Sequence, residues 1–170
     1  MGAGSSSLSP PKTITNDELK EKSEDIRRMS NDLAPSVLEE FGLATALRNL
    51  CRNFGNQIGV NIRFDTVGNN RTVPDKPRIY LYRICQEALN NAIKHSKATL
   101  IVVELIFDDN KIGLQVKDNG VGFDLEKAKQ SGGNGLNNIY ERAQLLHGFV
   151  QIITDPGKGT RVRIECKIKN

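Results

Sequence analysis

The stretch QEALNNAIKH, Gln86 to His95, reads as a helix with two chemically different sides. At about 100° per residue, Glu87, Asn91 and Lys94 share one stripe, because they are spaced i, i+4 and i+7. Leu81, Cys85, Ala88, Leu89 and Ala92 share the opposite one. One side asks for a core, and the other lines up an acid, an amide and a cation. Magnesium takes oxygen ligands and keeps several waters while bridging phosphates, so an Asn oxygen suits it. A Glu one turn away can orient a water or accept a proton, and a Lys further along can offset phosphate charge. The competing reading is a solvated helix face with an incidental Glu–Lys spacing. Asp75 is placed to cap this helix, with Pro77 in its first turn, and the helix ends near His95.

Three glycine-rich segments follow in order: DNGVGF from Asp118 to Phe123, GGNGLNNIYER from Gly132 to Arg142, and GKGT from Gly157 to Thr160. Each is weak alone. Asp118-Asn119-Gly120 reads as a strand-ending turn. Gly133 and Gly135 precede a helix, whose free N–H groups favour phosphate, but they also read as an ordinary flexible loop. Thr160 reads equally well as the first residue of a strand.

The rest of the chain supplies layers around these segments. Residues 1–16, beginning MGAGSSSLSPPKT, are Gly/Ser/Pro-rich with no apolar h-region, and read as a disordered tag or linker. Asp17 to Leu33 places Leu19, Ile26, Met29 and Leu33 on one stripe of a charged helix, which suggests a partner helix. Pro35 interrupts that pattern, and a new helix reads from about Leu43 to Ile58. Strands are expected at Val60–Val67, Thr99–Phe107, Lys111–Asp118, Phe149–Thr154 and Thr160–Ile168. Leu125–Asn134 reads as flexible, and Asn137–Leu146 as helical. A sheet of about five strands with one apolar face needs one covering layer, giving an α/β two-layer sandwich of a mixed sheet and about three helices. The division is residues 17–42 as a helical appendage and 43–170 as the main domain.

Composition excludes more than it identifies. No run of about 18 apolar residues exists, so no transmembrane helix is expected. The net charge of +4 is spread among interleaved acids, which favours an ordinary solvated surface over a nucleic-acid partner. Cys51, Cys85 and Cys166 form no CxxC pair and sit in apolar register, so they read as small core residues in a reducing cytoplasm.

The four segments in this order resemble the ATP-binding catalytic domain of sensor histidine kinases, within the superfamily that also holds gyrase and Hsp90. Together with the seam helix, the chain looks most like the kinase class paired with NarL-type response regulators. The resemblance implies a Bergerat-type ATP-binding fold, with residues 17–42 as part of the dimerisation domain (its second helix) and 43–170 as the catalytic domain. It implies ATP and Mg2+ as ligands, Asn91 as the metal ligand, and Glu87 as the acidic catalytic position. Lys94 and His95 match a nucleotide-contacting pair. Asp118 matches the acceptor of the adenine amino group, with Gly120 and Gly122 letting the backbone approach the base. Gly133, Gly135 and Leu136 match a lid hinge, and Thr160 a nucleotide-pocket hydroxyl. The γ-phosphate contacts stay unassigned, with Lys127 and Lys129 as weak candidates and solvated lysines as the preferred reading.

The implied reaction is phosphoryl transfer from ATP to a histidine, for relay to a response regulator, in a kinase that is a homodimer when complete. Neither histidine suits as acceptor: His95 lies in the nucleotide segment and His147 ends the last helix. The chain is therefore expected to be a piece of a longer kinase, cytoplasmic, without membrane contact of its own, and unable to phosphorylate itself. The anchoring of the parent is open. Two alternatives share the same segments: a serine kinase of the anti-sigma-factor type, which lacks the seam helix, and a nucleotide-binding interaction module without activity.

Overall fold

A computed structural model describes residues 14–169, leaving out the side chains of residue 26 and residues 29–34. Residues 1–13, and the seam side chains Ile26, Met29 and Leu33, therefore lie outside the described set. Helix α1 (Asn16–Ile58) opens with Thr15, whose side chain accepts from the Glu18 amide while Glu18 reaches back to the Thr15 amide. That reciprocal cap satisfies two donors that a helix start leaves free.

Pro35 does not end this helix. It lies inside α1, and the break falls at Gly42, with φ 81° and ψ 177°. That conformation is essentially restricted to glycine. A helix can carry a proline with a local kink, but an L side chain cannot readily adopt the Gly42 backbone. The bend divides α1 into an N-terminal arm, 16–41, and a second arm, 43–58. Leu43, Leu47, Leu50, Cys51, Phe54 and Ile58 of the second arm are all buried.

The sheet runs β1 (Asn61–Val67), β2 (Leu100–Phe107), β3 (Lys111–Asp118), β5 (Thr160–Lys167) and β4 (Phe149–Thr154) in spatial order. β1 and β2 are parallel, and every other pair is antiparallel. Alternation along β2 buries Ile101, Val103, Leu105 and Phe107, and along β3 Ile112, Leu114 and Val116. Helix α2 (Asp75–Asn91) joins β1 to β2 and presses Leu81, Cys85, Ala88 and Leu89 into the same core. Each large apolar side chain so buried contributes about 1.5–3 kcal/mol. Helix α4 (Asn134–Leu145) packs on α2 through buried Ile139 and Ala143. The mixed five-stranded sheet under one helical layer is the two-layer α/β sandwich expected. All three cysteines are free and buried. No helix of the described residues is long and apolar enough to cross a membrane.

Two local expectations need correction. Asp75 does not cap α2. The cap is Pro74, and Asp75 is already helical, with its carboxylate on Arg78 at 2.5 Å. The segment after Phe123 is not structureless, because α3 (Leu125–Gln130) forms there, capped by Asp124. The helical run ends at Ser96, close to the expected His95, and its last turn, Ala92–Ser96, is wider and π-helical.

A side chain at residue 42 meets no atom within 4 Å, so only the backbone resists it. Gly42→Ala should therefore cost about 1–3 kcal/mol in urea denaturation. An unchanged midpoint would mean that the chain passes residue 42 in another conformation.

Candidate nucleotide site

The polar face of α2 and the start of α4 meet. Gly135 lies in the first turn of α4, and a Cβ there would stand 2.7 Å from Glu87 Oε1 and 2.9 Å from Asn91 Oδ1. Glu87 and Asn91 therefore converge on one spot, capped by bare glycine backbone, and both remain half-buried. Leu136 is half-buried against the core, while Gly133 is exposed at the helix entrance. Lys94 and His95 fall in the π-helical turn, Lys94 half-buried and His95 exposed. Partial loss of water around the ring, then Lys94 and Lys20, hold the His95 imidazole below its ordinary pKa, which favours the neutral ring at neutral pH.

Asp118 ends β3 and is only 6% exposed. Its Oδ1 accepts from the Gly120 amide at 2.8 Å, and the Thr160 amide also donates to the carboxylate. Burial nonetheless raises its pKa above the ordinary carboxylate value, and these two bonds offset only part of that. The turn behind it is held by backbone. The Val121 amide donates to the Ser96 carbonyl at 2.7 Å, and a Cβ at Gly120 would overlap that carbonyl. Gly122 has φ 62° and lies equally tight on the Asp155 carbonyl. Asn119 ties the turn to the start of β2, its Oδ1 accepting from the Thr99 and Leu100 amides at 3.0 Å each.

The Thr160 hydroxyl stands 3.0 Å from that of Thr154, which donates to the Gly159 carbonyl and accepts from the Phe123 amide. Lys127 and Lys129 sit on exposed α3 and pair locally with Asp124 and Glu126, at 3.9 and 3.2 Å. His147 follows α4 with φ 48°.

Sequence reasoning passed over several residues that build this site. Ser96 and Thr154 are its backbone clasps, and nothing in their types signals it. Gln86 and Asn90 are each 4% exposed on α2, and they lie on neither of the two stripes that the periodicity picks out.

The profile of the histidine kinase-, DNA gyrase B-, and HSP90-like ATPase family matches residues 77–170, the span that carries α2, the Asp118 turn, α4 and the last hairpin. The chain belongs to this ATPase family. Its similar relatives carry sensor-kinase names. Sensor histidine kinase MctS of Rhizobium johnstonii is 39% identical over 75% of this chain and 28% of its own length. ComP of Bacillus subtilis is 38% identical over 84% and 19%, and the oxygen sensor histidine kinase NreB of Staphylococcus carnosus 33% over 85% and 42%. The chain thus spans less than half the length of these relatives. Among solved structures, the histidine kinase domain of the Erythrobacter litoralis EL346 blue-light-activated kinase superposes with TM-score 0.61 at 15% identity, covering 90% of this chain and 94% of that one. The catalytic domain of histidine kinase ThkA gives 0.60 at 16%, covering 74% and 89%. These likenesses show a shared fold.

The raised pKa of Asp118 has a stability consequence. A carboxyl whose folded pKa lies above its unfolded value contributes stability at low pH that is lost as pH rises through the folded value. Asp118→Asn should therefore stabilise the ligand-free protein at neutral pH. The gain should shrink as pH falls toward the ordinary carboxylate range. A lower melting temperature for Asp118→Asn at neutral pH would contradict the burial argument.

Proposed function

We propose that this chain is the ATP-binding catalytic module of a two-component sensor histidine kinase. In this reading the γ-phosphoryl group of ATP passes to a histidine outside the module, for relay to a response regulator. The complete kinase acts as a homodimer, and this module touches neither membrane nor nucleic acid. The observation that carries the reading is the convergence of Glu87 and Asn91 on the Gly135 backbone, one helix away from the buried carboxylate of Asp118.

Each residue has work that its surroundings suit. Asp118 offers the adenine amino group an acceptor, and guanine would present a carbonyl to the same carboxylate. Gly120 and Gly122 let the turn pack against Ser96 and Asp155 and so bring its backbone up to the base. The Thr160 hydroxyl completes that wall, and Lys94 and His95 line the approach. Gly133, Gly135 and Leu136 form the hinge where α4 meets the phosphates. Asn91 supplies an oxygen, and Glu87 orients a water or holds a proton.

The donor set fits magnesium. Among the described residues no three His, Cys, Asp or Glu side chains cluster as a protein-only cage. One or two protein oxygens beside a phosphate site are what this ion accepts. When bound, it would neutralise phosphate charge.

In calorimetric titration the chain should take ATP in preference to GTP. Asp118→Ala should remove about 1.5–3 kcal/mol, at least tenfold in affinity, without unfolding the domain. Equal affinity for GTP would remove the assigned role of Asp118. Asn91→Ala should erase the magnesium-dependent part of ATP affinity. Glu87→Gln should leave binding nearly intact and slow transfer in the full-length kinase. Incubated alone with γ-labelled ATP, the chain should acquire no acid-labile label. Label on His95 or His147 would make it a self-sufficient kinase.

A further inference from the structure

The sheet has two free edges, β1 and β4, and they are finished differently. An edge strand presents a row of unpaired N–H and C=O groups, which proteins blunt with charge, proline or a bulge. β1 carries Arg63 and Asp65 and lies against α1. β4 reads FVQIIT, with no charge and no proline. Its register against β5 runs residue for residue from Phe149 to Thr154, so no bulge interrupts it. Phe149 is 63% exposed and Ile153 48%, and Gln151 between them is exposed as well. These three share one face of the strand, with half-buried Val150 and buried Ile152 on the other.

An antiparallel partner strand must set residues of one face opposite each other. β4 of a second copy does this for every central residue when a two-fold axis passes through Gln151. Phe149 then meets the partner's Ile153, and Gln151 meets the partner's Gln151. On the inner face Val150 meets the partner's Ile152. Apolar residues face apolar ones, and the one polar residue faces its own amide. The charges stand one strand further in. Glu165 is level with Phe149 and Arg161 with Ile153. Each Phe149–Ile153 row therefore ends in an acid on one side and a base on the other. The two Arg163 side chains share the central row, but three strand spacings separate their strands by about 14 Å, beyond the Debye length in physiological salt. We infer that β4 is a self-docking edge, through which two copies of this chain join their sheets antiparallel about an axis at Gln151. Such a contact is isologous, so one strand serves both sides. A single strand pair covers less than the about 1,000 Å² of a stable interface, so the dimer is weak and forms with concentration. It uses none of the residues assigned to the nucleotide and does not require that reading.

Sedimentation of the intact chain between about 10 μM and about 1 mM tests this. The dimer fraction should rise with concentration. Alternate β4 amides should exchange more slowly as it rises, because alternate residues turn their N–H groups to the open edge. Gln151 is exposed, so Gln151→Lys and Gln151→Glu should both melt like the parent chain. Each alone sets like charges opposite at the axis and should weaken the dimer severalfold. Mixed in equal amounts, the two variants should restore it, because Lys then faces Glu. A chain that stays monomeric at about 1 mM would overturn the inference and leave the edge to some other extended peptide. A dimer indifferent to both variants, or one that mixing fails to restore, would place the contact elsewhere and overturn it equally.

Discussion

The Val121 amide donates to the Ser96 carbonyl, and this one bond joins the end of β3 to the end of α2. Contact that close needs glycine at residue 120, because a Cβ would overlap Ser96. The consequence is positional. Asp118 is held on one side of the junction and Asn91 and Glu87 on the other, so the two halves of the site cannot drift apart while the bond holds. Asp118 is buried by the same packing, and its raised pKa follows from that burial. The site therefore costs stability where it gains a directed acceptor.

The second junction is the seat of α4 on α2. A Cβ at Gly135 would push the Glu87 carboxylate and the Asn91 amide aside. Free amides at the start of α4 then face the same spot as an acid and an amide oxygen. Helix N-termini carry partial positive charge, so the place suits phosphate, with Glu87 and Asn91 available to a cation beside it. Away from this point α4 becomes ordinary core, through Ile139 and Ala143. One helix thus joins the sandwich at one end and the site at the other.

The strands were legible because period-two alternation survives in a sheet with one buried face, as in Val162, Ile164 and Cys166. The core side of α2 was legible for the matching helical reason. The polar side keeps helical spacing to Asn91, where the helix widens, and Lys94 leaves the 100° stripe. Pro35 reads as an interruption, but the helix runs through it; the new start near Leu43 was legible, and the break just before it falls at Gly42, whose conformation only glycine readily adopts. Helix α3 was missed because it has only six residues, none of them fully buried, and its start depends on the Asp124 cap. Ser96 and Thr154 could not be seen at all. Their roles arise from which distant backbone lies beside them, Val121 and Phe123, and no local pattern encodes that.

The central claim is that α2 and α4 together form a phosphate and metal seat beside the Asp118 pocket. The most direct measurement is NMR of the Gly135 amide and the Asn91 side-chain NH2 during ADP titration, first without and then with magnesium. The account predicts that Gly135 shifts as soon as nucleotide binds, and that Asn91 makes its main shift only when magnesium is added. Saturable binding of ADP and magnesium that moves neither signal would contradict it.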